Sequence, residues 1–159
     1  MKNKLLILNL SLIALMLFCV VPINAQEGAL QNRLNDNNNL FNLPPDIKQK
    51  IDTFFTDMKN KNYRAGLDKF LTNSPISKKD PDFKEILSQI GKAIDLYGEI
   101  NGYEIVSVKS AATSFCKVNI IGLHNKYPTR WEINFYRSPK MGLVITNFKF
   151  DDVAEIYLD

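Results

Sequence analysis

The residues of this chain that could do chemistry are few and widely spaced. His124 is the only histidine, so it cannot supply a paired-histidine metal motif such as H-E-x-x-H. Proton transfer would fall to Glu99, Glu104 or Glu132, and an enzyme would need one of these carboxyl groups inside a pocket with a shifted pKa. No sequence motif places them there. We therefore predict no catalytic residue, no metal site and no cofactor.

The positions of the cysteines favour a role in packing over a role in chemistry. The chain has two, and Cys19 falls in an apolar N-terminal stretch that we expect to be removed. Cys116 alternates with Val118 and Ile120, which is typical of a small buried residue in a strand. An intermolecular disulfide or a reactive thiol at Cys116 is the alternative. No intramolecular disulfide is expected in the mature protein.

The N-terminal segment has the order that is typical of a secretory signal peptide. Lys2 and Lys4 give it a positive start, residues 5–21 are almost entirely apolar, and Ala25 offers a small residue for cleavage. Residues 1–25 are thus predicted to be a signal peptide, cleaved after Ala25, that directs a periplasmic or secreted protein. An uncleaved membrane anchor is one alternative. A lipid anchor at Cys19 is a weaker one, because a large residue precedes that cysteine.

The charge balance argues against nucleic acid and anionic membranes as partners. The whole chain carries 20 basic and 17 acidic residues. Two of the lysines belong to the predicted signal peptide, which leaves 18 basic against 17 acidic residues and a net charge of +1. Acidic residues also separate the lysines along the chain, whereas such partners need a clustered basic face. We expect neither nucleic acid nor, after cleavage, a membrane to be bound.

The mature chain divides into a leader and one domain. Residues 26–43 are rich in asparagine, and they are too polar to bury the surface that would offset the entropy of ordering. A flexible leader is predicted there. Residues 44–159 have the length and the aromatic content of a single folded domain.

The first half of that domain is predicted to be helical. Apolar residues recur at spacings of three and four over residues 46–60, 63–71 and 80–97. Pro81 suits the first turn of the third helix. Gly98 suits its end, where a residue in the left-handed conformation is wanted.

The second half changes to the alternating pattern of strands. The predicted strands are residues 103–110, 114–123, about 130–136, and 143–150. Short connections between them indicate an antiparallel meander, with His124 in the loop after the second strand. We therefore predict an α+β fold in which three helices pack on one face of a curved sheet of about four strands. The state of residues 153–158 is left open.

This element order, together with residues 96–104, 130–136 and 143–148, resembles the NTF2-like superfamily, which is also described as cystatin-like. The resemblance implies a cone enclosed by helices and curved sheet. Some members use the cone for isomerisation or dehydration, and others use the open sheet face for dimerisation or protein binding. The catalytic members place acidic, tyrosine or histidine groups inside the cone, whereas the inward positions here are the apolar Trp131, Ile133 and Phe135.

Two surfaces are candidates for binding. Residues that could line a pocket for a small apolar ligand are Tyr97, Tyr103, Trp131 and Asn147, the last expected on the same face as Leu143 and Ile145. The simpler explanation is that they belong to the core. Residues that could form a protein interface on the polar face of the sheet are Lys117, Asn119, Arg130, Glu132, Asn134 and Tyr136. Cross-strand ion pairing on a solvated sheet is the simpler explanation there.

The leading hypothesis is an exported, non-enzymatic binding module. It would present its pocket to a small apolar ligand, or its sheet face to a protein that could be a second copy of itself. The alternatives are a pocket enzyme of the isomerase or dehydratase type, and a secreted inhibitor or immunity-like protein.

Overall fold

The computed structural model describes residues 43–78 and 80–158. The predicted signal peptide and nearly all of the predicted leader lie outside the described residues. Three α-helices come first: α1 (Pro45–Lys59), α2 (Tyr63–Phe70) and α3 (Asp80–Tyr97). Four strands follow: β1 (Ile100–Ala112), β2 (Phe115–His124), β3 (Thr129–Ser138) and β4 (Gly142–Asp151). Ile76–Lys78 and Ala154–Leu158 are short 3-10 helices. The predicted α+β class and the order of elements are confirmed.

The helices form where the apolar spacing predicts them. In α1 the apolar side chains Ile47, Ile51, Phe54, Phe55 and Met58 are all buried on one side. Pro45 occupies the first turn, where its missing N–H costs no intrahelical bond. Local signals are therefore enough to start α1. Burial of its apolar side then holds the helix against the rest of the domain.

Gly98 ends α3 as the sequence predicts. Its φ angle is +84°, which glycine adopts without the clash that a Cβ would cause. Its N–H donates to the carbonyl oxygen of Ile94 at 2.9 Å, so the last turn is closed. The chain then reverses into β1 within two residues.

The sheet is a meander in which β1, β2, β3 and β4 pair in that order, each antiparallel to the next. Except at the start of β2, the strands extend beyond the predicted segments, because neighbouring strands also pair at positions that show no alternation. One consequence corrects a prediction. His124 is not in a loop; it is the last residue of β2 and pairs with Ile100.

A bulge in β4 corrects a second prediction. Asn134 pairs with Asn147, but the next residue of β3, Phe135, pairs with Ile145. Thr146 is the extra residue, so the alternation of β4 changes phase there. Asn147 consequently faces the same side as Asn134, opposite to Ile145, and is not on the apolar face where we expected it.

The core lies between the helices and one face of the sheet, and aromatic rings dominate it. Trp131 is 1% exposed, and its ring contacts Phe54 and Phe55 of α1 edge-on and stacks on Phe150 of β4 at 4.5 Å. Phe54 in turn stacks on Phe70 of α2 at 4.3 Å. These contacts join both helices to the inner face of the sheet.

Candidate functional site

The four pocket candidates do not converge on one cavity. Trp131 and Tyr103 are buried members of the core, where the rings of Phe54 and Phe55 contact them. Tyr97 lies at the surface and donates its hydroxyl to Asp152 at 2.6 Å. Asn147 faces the opposite side of the sheet from Trp131. Aromatic side chains thus occupy the interior that the predicted pocket would need.

The three carboxylates with a predicted capacity for proton transfer all lie outside this interior. Glu99 accepts hydrogen bonds from Tyr63 at 2.6 Å and Lys61 at 3.0 Å, and these two bonds hold its pKa below the ordinary value. Glu104 and Glu132 face away from the helices. Within the described residues no group of three or more acidic, histidine or cysteine side chains is placed to hold a metal ion.

The face of the sheet that points away from the helices, which we call the outer face, brings together all six interface candidates and Asn147. Strand pairing arranges it in cross-strand rows. The first row is Ala112, Phe115, Tyr136 and Val144. The second is Lys109, Lys117, Asn134 and Asn147. The third is Ser107, Asn119, Glu132 and Lys149. The fourth is Glu104, Ile121, Arg130 and Asp151.

A continuous ion-pair network runs from Lys117 in the second row to Asp151 in the fourth. Glu132 accepts from Lys117 Nζ at 3.0 Å and lies 3.7 Å from an Arg130 nitrogen. The Arg130 guanidinium also binds the Asp151 carboxylate with two donors, Nε at 3.0 Å and Nη2. Burial alone would raise the pKa of Asp151, but the hydrogen bonds from Arg130 and from a backbone N–H lower it below the ordinary value. The predicted pairing of Lys117 and Arg130 with Glu132 is therefore present.

The C-terminal 3-10 helix covers the end of the outer face that holds Arg130. The hydroxyl of Tyr157 donates to the carbonyl oxygen of Trp131 at 3.3 Å. Burial, with the nearby charge of Glu132, raises the pKa of Tyr157 to about 12. The first three rows are the more open part of this face.

Two amide oxygens in the middle of the outer face are buried without a hydrogen bond from any described residue, those of Asn119 and Asn134. Asn119 is only 7% exposed, and its amide nitrogen donates to the hydroxyl of Ser107 at 2.7 Å. A buried acceptor left unpaired costs about 1–3 kcal/mol. Such groups are normally satisfied by protein or ordered water. Because both oxygens are closed to solvent, a binding partner could donate to them only after the amide side chains turn outward.

The row nearest the β1–β2 hairpin is apolar. The rings of Phe115 and Tyr136 lie 6.5 Å apart, and both side chains are half-buried. Val144 beside them is 1% exposed. The outer face thus combines an apolar end with a polar centre, and the aromatic side chains at its end are of a type enriched in protein interfaces.

Sequence reasoning missed several members of the outer face, among them Ser107, Phe115, Val144 and Lys149. Phe115 follows from the alternation within β2, so that signal was available. Ser107 does not, because the pairing of β1 with β2 shifts between Ile105 and Ser107 and changes the alternation there. Val144 and Lys149 fall on opposite sides of the β4 bulge, and their common face cannot be read from alternation alone. Only the register of β4 against β3 places them together.

Surface grooves also lie elsewhere on the domain, and two of them border the sheet. One, of about 470 Å³, lies between the β1–β2 hairpin and the start of α1, with Ile47, Cys116 and Phe135 among its lining residues. Burial raises the pKa of the Cys116 thiol, which favours the packing role over a reactive one. The other groove, of about 450 Å³, separates α3 from β4.

The fold and these surfaces define the chain as an α+β protein with an open antiparallel sheet. No protein-family model, curated protein or solved structure matches it, and the resemblance to the NTF2-like superfamily stays a prediction. None of the described helices combines the length and the apolar character that crossing a bilayer requires.

Proposed function

We propose that this protein is an exported, non-enzymatic binding module that recognises protein through the outer face of its sheet. The open polar and apolar side chains of this face carry the proposal. The unpaired oxygens of Asn119 and Asn134 add to it, because a buried acceptor is stabilised when its amide turns toward a donor. The aromatic core supports the proposal as well, since core side chains occupy the interior that the predicted pocket for a small ligand would need.

A second copy of the chain is the partner that the outer face fits best. An interface between identical copies related by a two-fold axis must be complementary to itself. The outer face meets that requirement, because it carries donors at Lys109, Lys117 and Lys149 as well as the acceptors of Asn119 and Asn134. The Phe115–Tyr136 pair adds apolar contact area at the hairpin end of this face.

Export follows from the N-terminal pattern of residues 1–25 and remains part of the proposal. An isolated domain without a disulfide would depend on packing for stability outside the cell. The dense aromatic core around Trp131 is consistent with that demand.

Sedimentation equilibrium over a range of protein concentrations tests the proposal. We expect a reversible monomer–dimer equilibrium in the micromolar range, about −8 kcal/mol. In the dimer, side-chain amide signals of Asn119 and Asn134 should shift on dilution in NMR spectra. A monomer at every concentration, or a dimer whose dilution leaves both signals unmoved, would contradict recognition of a second copy through this face.

A further inference from the structure

The groove between the β1–β2 hairpin and the start of α1 has a mainly apolar lining. It encloses about 470 Å³. One wall comes from Pro44 and Ile47 at the start of α1, and the others include Phe115 of β2, Phe135 of β3 and Leu143 of β4. Side chains of these types gain free energy when an apolar occupant removes their surface from water.

The groove offers no unpaired charge to an occupant. Arg137 is the only charged side chain among the described residues that line it. Both terminal nitrogens of Arg137 donate to the carboxylate of Asp46, Nη2 at 2.7 Å. The hydrogen bond from Arg137 holds the pKa of Asp46 below its ordinary value, although partial burial opposes the shift. A charged occupant would therefore lose hydration without gaining a partner, so the lining selects an apolar, uncharged one.

The chain enters the described domain at the wall of this groove. Leu43 is buried in the hydrophobic core, and the next residue, Pro44, lines the groove. Pro44 is extended, with φ −54° and ψ 134°, and a residue that precedes a proline is itself restricted to extended conformations. The residues before Leu43 are therefore attached to the domain directly beside the groove.

Those residues match the groove in chemistry. Leu40 and Phe41, which lie just outside the described residues, are the only adjacent pair of large apolar residues in 26–42, and residues 37–42 carry no charge. Leu40 is three positions before Leu43, a distance of at most about 11 Å even in a fully extended chain. Both side chains are thus held within reach of the groove by a very short connection.

We propose that Leu40 and Phe41 of the predicted leader bind in this groove of their own chain. The short connection gives the pair a high effective concentration at the groove, so apolar burial has to offset only the entropy of ordering a few residues. This inference goes beyond the proposed function. The groove shares Ala112 and Phe115 with the first row of the outer face but none of its polar centre, so the two proposals can fail separately.

Nuclear Overhauser effects (NOEs) in the protein purified after export test the proposal directly. We expect NOEs from the ring protons of Phe41 or the methyl protons of Leu40 to the methyl groups of Ile47 or Leu143. A second sample mixes isotope-labelled and unlabelled chains, and isotope filtering selects contacts between chains. The same NOEs should be absent from the filtered spectrum, because the segment binds within its own chain.

Two substitutions in the leader supply the matched comparison. Phe41→Asp places a charge in a groove that has no partner for it, so the NOEs of Leu40 to the groove should be lost and the methyl signals of Ile47 and Leu143 should shift. Leu34→Asp makes the same kind of change farther from Leu43 and should leave these NOEs and signals unchanged. The outer-face variant Asn134→Glu should retain the NOEs as well, which separates this site from the proposed dimer face.

Three results would each overturn the proposal. The first is a wild-type spectrum in which neither Leu40 nor Phe41 gives an NOE to the groove. The second is the appearance of these NOEs only between chains, which would assign the groove to the leader of a second copy. The third is an equal response to Phe41→Asp and Leu34→Asp, which would reduce it to a general effect of charge in the leader.

Discussion

The indole N–H of Trp131 donates to the hydroxyl of Thr129 at 2.7 Å. The same hydroxyl lies 3.1 Å from Nε2 of His124, and Nδ1 of that histidine lies 2.7 Å from the carbonyl oxygen of Gly98. A carbonyl can only accept, so Nδ1 carries a proton. Burial lowers the pKa of His124 and favours the neutral ring, whose Nε2 accepts from Thr129, so that the chain of donors runs from the core tryptophan to the end of α3.

Thr129→Val should destabilise the protein by about 1–3 kcal/mol. The substitution keeps the shape of the side chain but leaves the Trp131 indole N–H and the His124 Nε2 without their common partner. Urea unfolding followed by the fluorescence of Trp131, the only tryptophan, measures the loss. Thr129→Ser retains the hydroxyl and should lose less than Thr129→Val; a larger loss in Thr129→Ser would show that the methyl contact, not the hydrogen bonds, stabilises this position.

The neutral state of His124 predicts a pH dependence of stability. Burial lowers the pKa of His124 below its ordinary value, although the Gly98 carbonyl and the charge of Glu99 oppose the shift. The unfolded chain therefore binds more protons than the folded one as the pH falls below about 6.5. The stabilising contribution of His124 to the free energy of unfolding is fully present above about pH 6.5. It is lost as the pH falls toward the pKa of His124 in the folded protein.

Urea unfolding between about pH 5 and 7 measures this dependence, since most carboxyl groups remain ionised in that range. His124→Gln keeps a polar side chain but does not titrate, so its free energy of unfolding should vary less over the same range. An identical slope in the two proteins would assign the dependence to other groups.

Gly122→Ala should destabilise the protein by about 1–3 kcal/mol. A Cβ at Gly122 would lie 2.5 Å from Trp131 Nε1 and 2.7 Å from Thr129 Oγ1, so the hydrogen-bonded pair would have to move. Gly91→Ala is the matched control, because a Cβ there meets no atom within 4 Å. In the middle of α3 that change should stabilise by about 0.5–1 kcal/mol. Thermal unfolding should thus shift in opposite directions for the two variants.

The sequence predicted the elements well because their signals are local. The spacing of Ile47, Ile51 and Phe54 defines the buried side of α1 whatever it packs against, and Gly98 ends α3 by its own backbone freedom. The sequence failed at Asn147, since the bulge at Thr146 is a property of the pairing between β3 and β4. His124 was placed in a loop for a related reason: its strand pairing to Ile100 leaves no trace in alternation.

Some candidate residues lie far apart in the structure for a similar reason: their positions depend on the path of the chain and not on local spacing. Tyr97 and Tyr103 are only six positions apart in the sequence, but the reversal at Gly98 sends one to the surface and the other into the core. The outer-face residues came together because simple alternation along β2 and β3 is regular, and those two strands pair without a bulge.

Arg130 and Lys117 should differ in their contribution to stability. The Arg130 side chain is 18% exposed and binds Asp151 with two donors, so Arg130→Ala should cost about 1–2 kcal/mol. Lys117→Ala removes a single, more exposed ion pair with Glu132 and should cost less than about 0.5 kcal/mol. Denaturant titration of both variants checks the difference, and equal losses would contradict the distinct burial of the two pairs.

The most direct test of the outer face as an interface is the dimer dissociation constant of Asn134→Glu. The new carboxylate would face Lys117 across the strand pair, so the fold should tolerate it, but it places a charge at the centre of the proposed interface. Ser88→Glu, at an exposed position on α3, is the matched control. We predict at least about tenfold weaker dimerisation for Asn134→Glu and a wild-type constant for Ser88→Glu. An unchanged constant in Asn134→Glu, with its fold intact, would contradict the proposal that this face binds a second copy.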